Sequence, residues 1–169
     1  MRTNKMNFRI YVANLRAYNE GEYVGKWIDL QYDDVEQCIK DVLGTDEEYA
    51  IHDYEAPFEI HEYSSIKTLM EVSEAVSRIE EHTYIKFLAV MEIESNKIED
   101  ICDIVDSLEE YRLFEGISND EELGIELVEQ DYIEVPEHLK MYFDYESYGH
   151  DYACNTVGDY SDHGYITRN

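Results

Sequence analysis

Apolar and polar residues alternate with a period of two along residues 8–12 and 23–30, as expected of strands with one buried face. The Asn-Glu-Gly segment at residues 19–21 has the composition of a turn between them. A third strand pattern covers residues 49–54 and stops before Pro57. This part of the chain therefore predicts a small sheet of three strands.

One helix is predicted within the same region. Apolar residues recur at helical spacing between Val35 and Leu43. Asp33 and Asp34 stand where an N-terminal cap is needed, and Gly44 stands where a helix commonly ends. This helix and the three strands predict a small α+β unit.

The middle of the chain predicts only helices. Ser64 or Ser65 can cap a helix over residues 66–79, and a second apolar segment covers residues 84–93. In residues 98–108 the apolar side chains fall on one face of a third helix. Neither glycine nor proline interrupts this part of the sequence.

Strand and helix patterns mix again after residue 109. Residues 111–114 predict a strand. Ser118 and Glu121 predict a capping box that opens a helix through Val128, although Gly124 weakens the helical pattern.

The C-terminal end combines a proline signal with a glycine-rich stretch. Pro136 at a first helical position predicts a helix through Leu139 and Phe143. The residues after it contain three glycines, and their composition predicts strands and loops.

These elements predict an α+β fold in three small domains, with small antiparallel sheets and helices at both ends and an all-helical middle. The changes of pattern place the domains at residues 1–62, 63–108 and 109–169. The first and last are predicted to be α+β, and the middle one helical.

The chain is strongly acidic. Against 13 Lys and Arg stand 40 Asp and Glu, which gives a formal charge of −27. Residues 1–26 hold five bases, among them Arg2 and Lys5, and two acids, while the residues after them carry −30. Direct binding to nucleic acid or to an anionic membrane needs clustered Lys and Arg, so neither is expected as a partner. Leu, Ile, Val and Phe make up about a quarter of the chain, enough for a folded core.

Cysteine usage and the N-terminal sequence bear on location. Cys38, Cys102 and Cys154 are odd in number and far apart, so no disulfide framework is implied and a reducing compartment is favoured. The N-terminus has no apolar signal-peptide core, and no stretch is apolar enough for a transmembrane helix. The sequence therefore predicts a cytoplasmic protein.

The sequence contains no motif for catalysis or cofactor binding. Walker A, GxGxxG and GxSxG motifs are missing, and an EF-hand alignment on Gly124 lacks the acids required at positions 1, 5 and 12. His150 and Cys154, with His163 nearby, follow a metal-ligand spacing only loosely. His52 and His61 are interpreted as partly buried structural side chains. The chain is predicted to be no enzyme and to hold no metal or cofactor.

Charge alone leaves several functions open. A net charge of −27 equals the charge on about 46 Å of duplex DNA, so the chain could fill the basic groove of a DNA-binding enzyme. It could equally be an acidic chaperone or sequestering partner of another basic nucleic-acid-binding protein. A carboxylate-rich hydrolase is a third class, and it would require a pocket and metal-dependent turnover. The 16 tyrosines fit either half-buried positions or an amphipathic platform under the carboxylates.

Several blocks of the sequence resemble the ArdA family of antirestriction proteins. The first is Ile-Tyr-Val-Ala-Asn-Leu at residues 10–15, continued at residues 18–27. The second is Glu-Tyr-Ala-Ile-His-Asp-Tyr-Glu at residues 48–55, with Pro-Phe at residues 57–58. The third extends discontinuously over residues 135–166. The helical middle contributes only its acidic character to the resemblance.

The resemblance implies a DNA mimic, encoded on mobile genetic elements, that blocks type I restriction–modification enzymes without chemistry. Proteins of this family form elongated, curved dimers of three small domains per chain, joined through the C-terminal domain. Their acidic surface imitates bent B-form DNA and fills the DNA-binding groove of the methyltransferase core. A homodimer is therefore expected, and Leu139, Tyr142 and Phe143 form a candidate apolar patch for it.

The contact surface is expected to be spread over exposed acids in all three predicted domains. Because each acid would face Lys or Arg of the enzyme, one charge change should matter little and a cluster should matter much. The predicted acids are Asp33, Asp34, Glu47, Glu48, Glu62, Glu71, Glu74, Glu80, Glu81, Glu99, Asp100, Asp103, Asp106, Glu109, Glu110, Asp120, Glu121, Glu122, Glu126 and Glu129.

Overall fold

The structure is a computed structural model that describes residues 6–169, so Arg2 and Lys5 of the basic N-terminal segment lie outside the described residues. Tertiary contacts divide the chain into two compact units. The N-terminal unit comprises Met1–Glu81, described from residue 6 onwards, and Asn96–Val105. The C-terminal unit comprises His82–Ser95 and Asp106–Asn169. The three domains 1–62, 63–108 and 109–169 stay a prediction.

The N-terminal unit has a sheet of three antiparallel strands in the order β2-β1-β3. They are β1 (Arg9–Asn14), β2 (Gly25–Asp29) and β3 (Tyr49–Glu55), and all three were predicted. Ile10 and Val12 of the central strand point to one face and are fully buried there. Their spacing of two residues is the origin of the alternating sequence pattern.

The sequence pattern missed α1 (Leu15–Asn19), a short helix that follows β1 directly. It starts because the Asn14 side chain accepts a hydrogen bond from the Ala17 amide at 3.0 Å. A helix of five residues is too short to show an apolar period. Only the turn after it, where Gly21 has φ +86°, was predicted.

The predicted helix of this unit is confirmed as α2 (Val35–Leu43). The Asp34 side chain accepts from the Gln37 amide at 3.0 Å and thereby caps the first turn. The helix ends at Gly44, which has φ +59° and donates its amide to the Lys40 carbonyl.

The middle of the chain is helical, as predicted. It contains α3 (Ile66–Ser77), α4 (Tyr84–Ile93) and α5 (Ile101–Ser107). In α4 the apolar residues occupy most sides of the helix, and in the C-terminal unit they pack against the second sheet.

The prediction of one α-helix over residues 98–108 needs correction. Short 3-10 segments at Ile98–Asp100 and Leu108–Glu110 flank α5. Ile98 and Leu108 are buried in these 3-10 segments, and Ile101 and Ile104 are buried in α5. The apolar face therefore continues across the change of helix type, and apolar spacing alone does not distinguish a 3-10 turn at the end of an α-helix.

The C-terminal unit has a second antiparallel sheet, in the order β4-β6-β5. Its strands are β4 (Tyr111–Glu115), β5 (Val157–Ser161) and β6 (Gly164–Arg168), where the sequence predicted strands. Tyr165 on the central strand pairs with Phe114 and with Tyr160, so an aromatic row crosses the sheet.

The N-terminal cap of α6 (Asp120–Glu129) lies one residue later than predicted. Asn119 caps the helix by accepting from the Glu122 amide at 3.0 Å. Ser118 instead donates its amide and hydroxyl to the Glu122 carboxylate. Both residues are good caps, and only the backbone geometry selects between them.

The prediction of strands and loops after residue 144 is wrong for α7 (Tyr145–Asn155). Gly149 lies in this helix where it crosses α6, and a Cβ there would overlap the Asp120 carbonyl oxygen. A Cβ at Gly124 of α6 would likewise overlap the Tyr145 carbonyl oxygen. Both glycines therefore allow close packing of two helices and do not mark breaks.

The helix predicted from Pro136 is a 3-10 segment, Glu137–Tyr142, and Pro136 lies just before it. None of its residues is buried, so no core contact favours a regular α-helix there.

The predicted α+β class, with two small antiparallel sheets and a helical middle, is confirmed. Within residues 6–169, the structure contains no helix with the length and apolar character needed to span a bilayer.

Candidate acidic binding surface

Acidic side chains lie at the surface of both units. Of the 40 acids, 34 are exposed, six are half-buried and none is buried. By sequence, the N-terminal unit has 21 acids and nine bases, and the C-terminal unit has 19 acids and four bases. The net charges are therefore −12 and −15, so neither unit alone accounts for the acidity.

Sixteen of the twenty predicted surface acids are exposed. The other four, Asp100, Asp120, Glu122 and Glu126, are half-buried. Exposure makes these carboxylates accessible to a partner, and their role in binding stays a prediction.

Several of the predicted acids also stabilise the fold. Asp34 caps α2, and the Asp29 amide donates to Asp33 at 2.8 Å. The Glu122 carboxylate accepts from the amide and from the hydroxyl of Ser118, and these bonds lower the pKa of Glu122. A substitution at such a position changes local structure as well as charge.

Asp120 connects three elements of the C-terminal unit. Its carboxylate accepts from the Tyr160 hydroxyl on β5 at 2.6 Å and from Nδ1 of His150 on α7 at 2.8 Å. These two bonds hold the pKa of Asp120 below its ordinary value. Burial and the bond to Asp120 raise the pKa of Tyr160.

The loosely spaced metal candidates do not converge. His150 and Cys154 are neighbours on α7, with Nε2 and Sγ 3.5 Å apart. His163 pairs instead with Glu92 on α4, where Nε2 and Oε1 are 3.2 Å apart. Among the residues that the structure describes, no group of three or more His, Cys, Asp or Glu is placed to hold a metal ion.

His52 and His61 are exposed, which corrects their interpretation as partly buried. β3 leaves the core after Ile51, so the strand residues that follow face solvent. His52 packs edge-on against the ring of Tyr18, with the ring centres 4.6 Å apart.

The tyrosines divide between the two interpretations. Tyr111 and Tyr165 are buried in the C-terminal unit, and burial raises the pKa of Tyr111 to about 12. Others, such as Tyr23 and Tyr32, are exposed in the N-terminal unit. Structural packing accounts for the buried tyrosines. For the exposed tyrosines, a role as an amphipathic platform under the carboxylates stays a prediction.

A surface cleft of about 780 Å³ lies in the N-terminal unit, next to the start of α2 and along α3. Apolar side chains and carboxylates both line it. Glu36 is one of these carboxylates and was missed in the sequence, although its place on the solvent face of α2 could have indicated it. The acids that line the cleft are Asp33, Asp34, Glu36, Glu71 and Glu74.

The fold and this surface define a strongly acidic α+β protein whose carboxylates are exposed over both units. Residues 10–167 match the model of the family described as antirestriction protein (ArdA), and the chain belongs to that family. The resemblance noted in the sequence is thereby confirmed. Membership implies an antirestriction protein, an inhibitor that binds restriction–modification enzymes. No curated protein matches the chain.

Proposed function

We propose that this chain is a DNA mimic that inhibits type I restriction–modification enzymes by occupying their DNA-binding groove. The observation that carries the proposal, beside family membership, is the distribution of charge. No acid is buried, and each unit has a large negative net charge. A groove built for duplex DNA would attract this surface through the Lys and Arg side chains that bind phosphates. Inhibition is then stoichiometric and needs no catalysed reaction.

The contact surface in this proposal consists of the twenty predicted acids, facing the methyltransferase core. Each exposed ion pair contributes at most about 1 kcal/mol, so affinity comes from many weak contacts. Asp34, Asp120 and Glu122 also hold local structure, so other acids are better suited to testing contact.

The inhibitor is proposed to act in the cytoplasm as a homodimer joined through the C-terminal domain, residues 109–169. The 3-10 segment there exposes Met141 and Tyr142, at 79% and 77% of their surfaces, beside Leu139. Exposed apolar side chains of this kind suit an isologous contact about a twofold axis. Light scattering of the purified chain tests the dimer, and a monomeric mass at micromolar concentration would contradict it.

A competition titration tests the inhibitor proposal. Type I enzyme, labelled duplex and increasing amounts of the chain are followed by binding anisotropy and by DNA cleavage. We expect displacement at near-stoichiometric amounts, weakening steeply between about 50 and 200 mM salt. If a large excess of folded chain displaces no DNA, the proposal is wrong. Capture of other basic nucleic-acid-binding proteins would then favour the acidic chaperone.

Charge variants test whether the surface is distributed. We expect Glu129→Gln to change the inhibition constant by less than about threefold, because one exposed contact is weak. Glu47→Gln, Glu48→Gln and Glu62→Gln together should weaken inhibition roughly tenfold or more. Circular dichroism shows whether each variant is folded. Loss of all inhibition from one carboxylate-to-amide change in a folded chain would contradict the distributed surface.

A further inference from the structure

We propose that the cleft of the N-terminal unit is a docking site for a cationic, amphipathic segment of the restriction–modification enzyme. The aliphatic stem of an Arg or Lys would lie on the apolar floor of the cleft, and its charged head would meet the acidic rim. The inference rests on the proposed function. It goes further because it assigns one place where apolar contact adds to electrostatic attraction.

The floor of the cleft is apolar and accessible. Leu30 and Val35 form its buried base, Ile66 is half-buried, and Met70 is 41% exposed. These residues come from the end of the first hairpin, the start of α2 and one face of α3. A partner that covers Met70 removes apolar surface from water and gains free energy by doing so.

The rim of the cleft is acidic on both sides. Three carboxylates lie at the α2 side and two on α3, and Lys67 is the one cation among the described residues that line the cleft, so these residues carry a formal charge of −4. Lys67 pairs with Glu71 at 3.7 Å, but both side chains are largely exposed. Such a pair is weak and can give way to a cation from a partner.

Hydrogen bonds within the unit hold the cleft in shape. The buried Ser73 hydroxyl on α3 donates to the Leu30 carbonyl at 2.8 Å. On the opposite side, Asp33 and Asp34 are fixed by bonds from the amides of Asp29 and Gln37. A preformed cleft lowers the entropy that a partner must lose to bind it.

Charge complementarity selects the occupant. Arg and Lys combine an aliphatic stem with a cationic head, so one side chain can satisfy both floor and rim. Nucleic acid or an acidic segment would be repelled by the carboxylates. A DNA-binding groove is where an enzyme clusters its Arg and Lys, so the proposed partner supplies the required chemistry.

Displacement of DNA from the type I enzyme is compared for Met70→Gln and Val24→Gln. Val24, just before β2, is 40% exposed and lies outside the cleft, so both changes replace a similarly exposed apolar side chain by the same neutral polar one. We expect Met70→Gln to weaken apparent affinity roughly tenfold at both low and high salt, since apolar contacts are not screened. Val24→Gln should match the wild type. If a folded Met70→Gln chain keeps wild-type affinity, the proposed docking site is wrong, while the proposal of a DNA mimic is unaffected.

A second measurement does not depend on the enzyme. The chain, with its methionine methyl groups ¹³C-labelled, is titrated with acetyl-Leu-Arg-Arg-Leu-Leu-Arg-Arg-Leu-amide and with the peptide of equal charge in which Ser replaces Leu. The leucine peptide should shift the Met70 methyl resonance saturably, and the serine peptide should shift it much less. Met141, which lies outside the cleft, is the internal control. Equal shifts from both peptides, or equal shifts at Met70 and Met141, would overturn the inference. If the chain displaces no DNA but the Met70 resonance shifts as expected, the proposed inhibition is wrong, while binding of cationic amphipathic segments in the cleft is supported.

Discussion

Both units contain a three-stranded antiparallel sheet, but the hydrophobic cores that pack against the two sheets differ in composition. In the N-terminal unit Ile10 and Ile28 are fully buried on neighbouring strands, and the buried rings of Phe8 and Phe58 carry no polar group. In the C-terminal unit Phe114 and Tyr165 enter the core, and half-buried tyrosines pack around it. The hydroxyl of such a tyrosine must find a partner, as Tyr160 does in Asp120.

The helices of the two units differ in a similar way. α2 faces its sheet with side chains such as Val35 and Val42. α6 and α7 instead approach each other through Gly124 and Gly149, so that backbone lies against backbone. Side-chain packing produces a periodic sequence pattern, whereas backbone contact is marked only by glycines, which locally indicate a break.

The largest effect on stability is expected from Gly124→Ala, which adds a side-chain atom at the backbone contact between α6 and α7. The added Cβ would overlap the Tyr145 carbonyl, and a backbone atom cannot move aside as a flexible side chain can. The two helices must separate, so the free energy of unfolding should fall by about 3 kcal/mol or more. Urea unfolding followed by circular dichroism measures this loss.

Gly21→Ala in the N-terminal unit is the matched control. Gly21 has φ +86° but no neighbouring atom within 4 Å of an added Cβ, so only backbone strain of about 1 kcal/mol is expected. Equal losses at Gly21 and Gly124 would contradict the close crossing of α6 and α7.

The N-terminal unit should be more sensitive at a buried polar residue, Asn14. Its side chain is buried, accepts from the Ala17 amide and donates to Asp46 at 3.0 Å. Asn14→Ala leaves buried groups without these bonds and should lower the free energy of unfolding by roughly 2 kcal/mol. Asn19 is exposed at the end of α1, the helix that Asn14 caps. Asn19→Ala should change the free energy of unfolding by less than about 0.5 kcal/mol. Similar losses for the two variants, measured by urea unfolding, would argue against the Asn14 network.

The sequence patterns predicted the elements whose structure depends on residues close together in the sequence. The strands β1 to β3 and the helix α2 follow from alternation, helical spacing and caps, all within a few residues. Helix α7 could not be predicted in this way, because Gly149 has its function only against Asp120 on another helix. The choice between Ser118 and Asn119 as cap depends on backbone angles that composition does not specify.

For the candidate surface, too, the sequence predicted the local features but not the contacts between distant residues. Exposure of most acids follows from their places on solvent faces, and the resemblance of sequence blocks indicates the family without any structural contact. The cleft could not be predicted, since its floor brings Val35 together with Met70, which is distant in the sequence. Which acids also cap or pair became visible only through their hydrogen bonds, as for Glu122.

Helix capping offers a smaller contrast between the units. Asn119 accepts a capping hydrogen bond from Glu122, whereas Ser65 at the start of α3 makes no side-chain capping bond. Asn119→Ala should therefore lower the free energy of unfolding by about 1 kcal/mol, and Ser65→Ala by much less. Chemical denaturation of both variants measures the difference. Equal losses would show that capping does not distinguish the two helices.

The smallest effect concerns pH and the carboxylate of Asp120. Hydrogen bonds from Tyr160 and His150 lower its pKa in the folded chain, below the ordinary value of 3.8. A carboxyl group with a lowered folded pKa adds stability above its unfolded pKa, and this stability is lost as pH falls through the folded pKa. Tyr160→Phe removes one donor, so near pH 6 it should lower the free energy of unfolding by roughly 0.5 kcal/mol.

This difference between Tyr160→Phe and the wild type should shrink as the pH falls below the ordinary value of 3.8, because protonated Asp120 no longer gains from the charge-assisted bond. Tyr23→Phe in the N-terminal unit removes a hydroxyl from an exposed tyrosine and should follow the wild type at every pH. Urea unfolding over the acid range measures all three proteins. A difference for Tyr160→Phe that stays constant with pH would mean that the hydroxyl stabilises packing and not the ionised carboxylate. The contrast between the tyrosine-containing C-terminal core and the N-terminal one would then rest on burial alone.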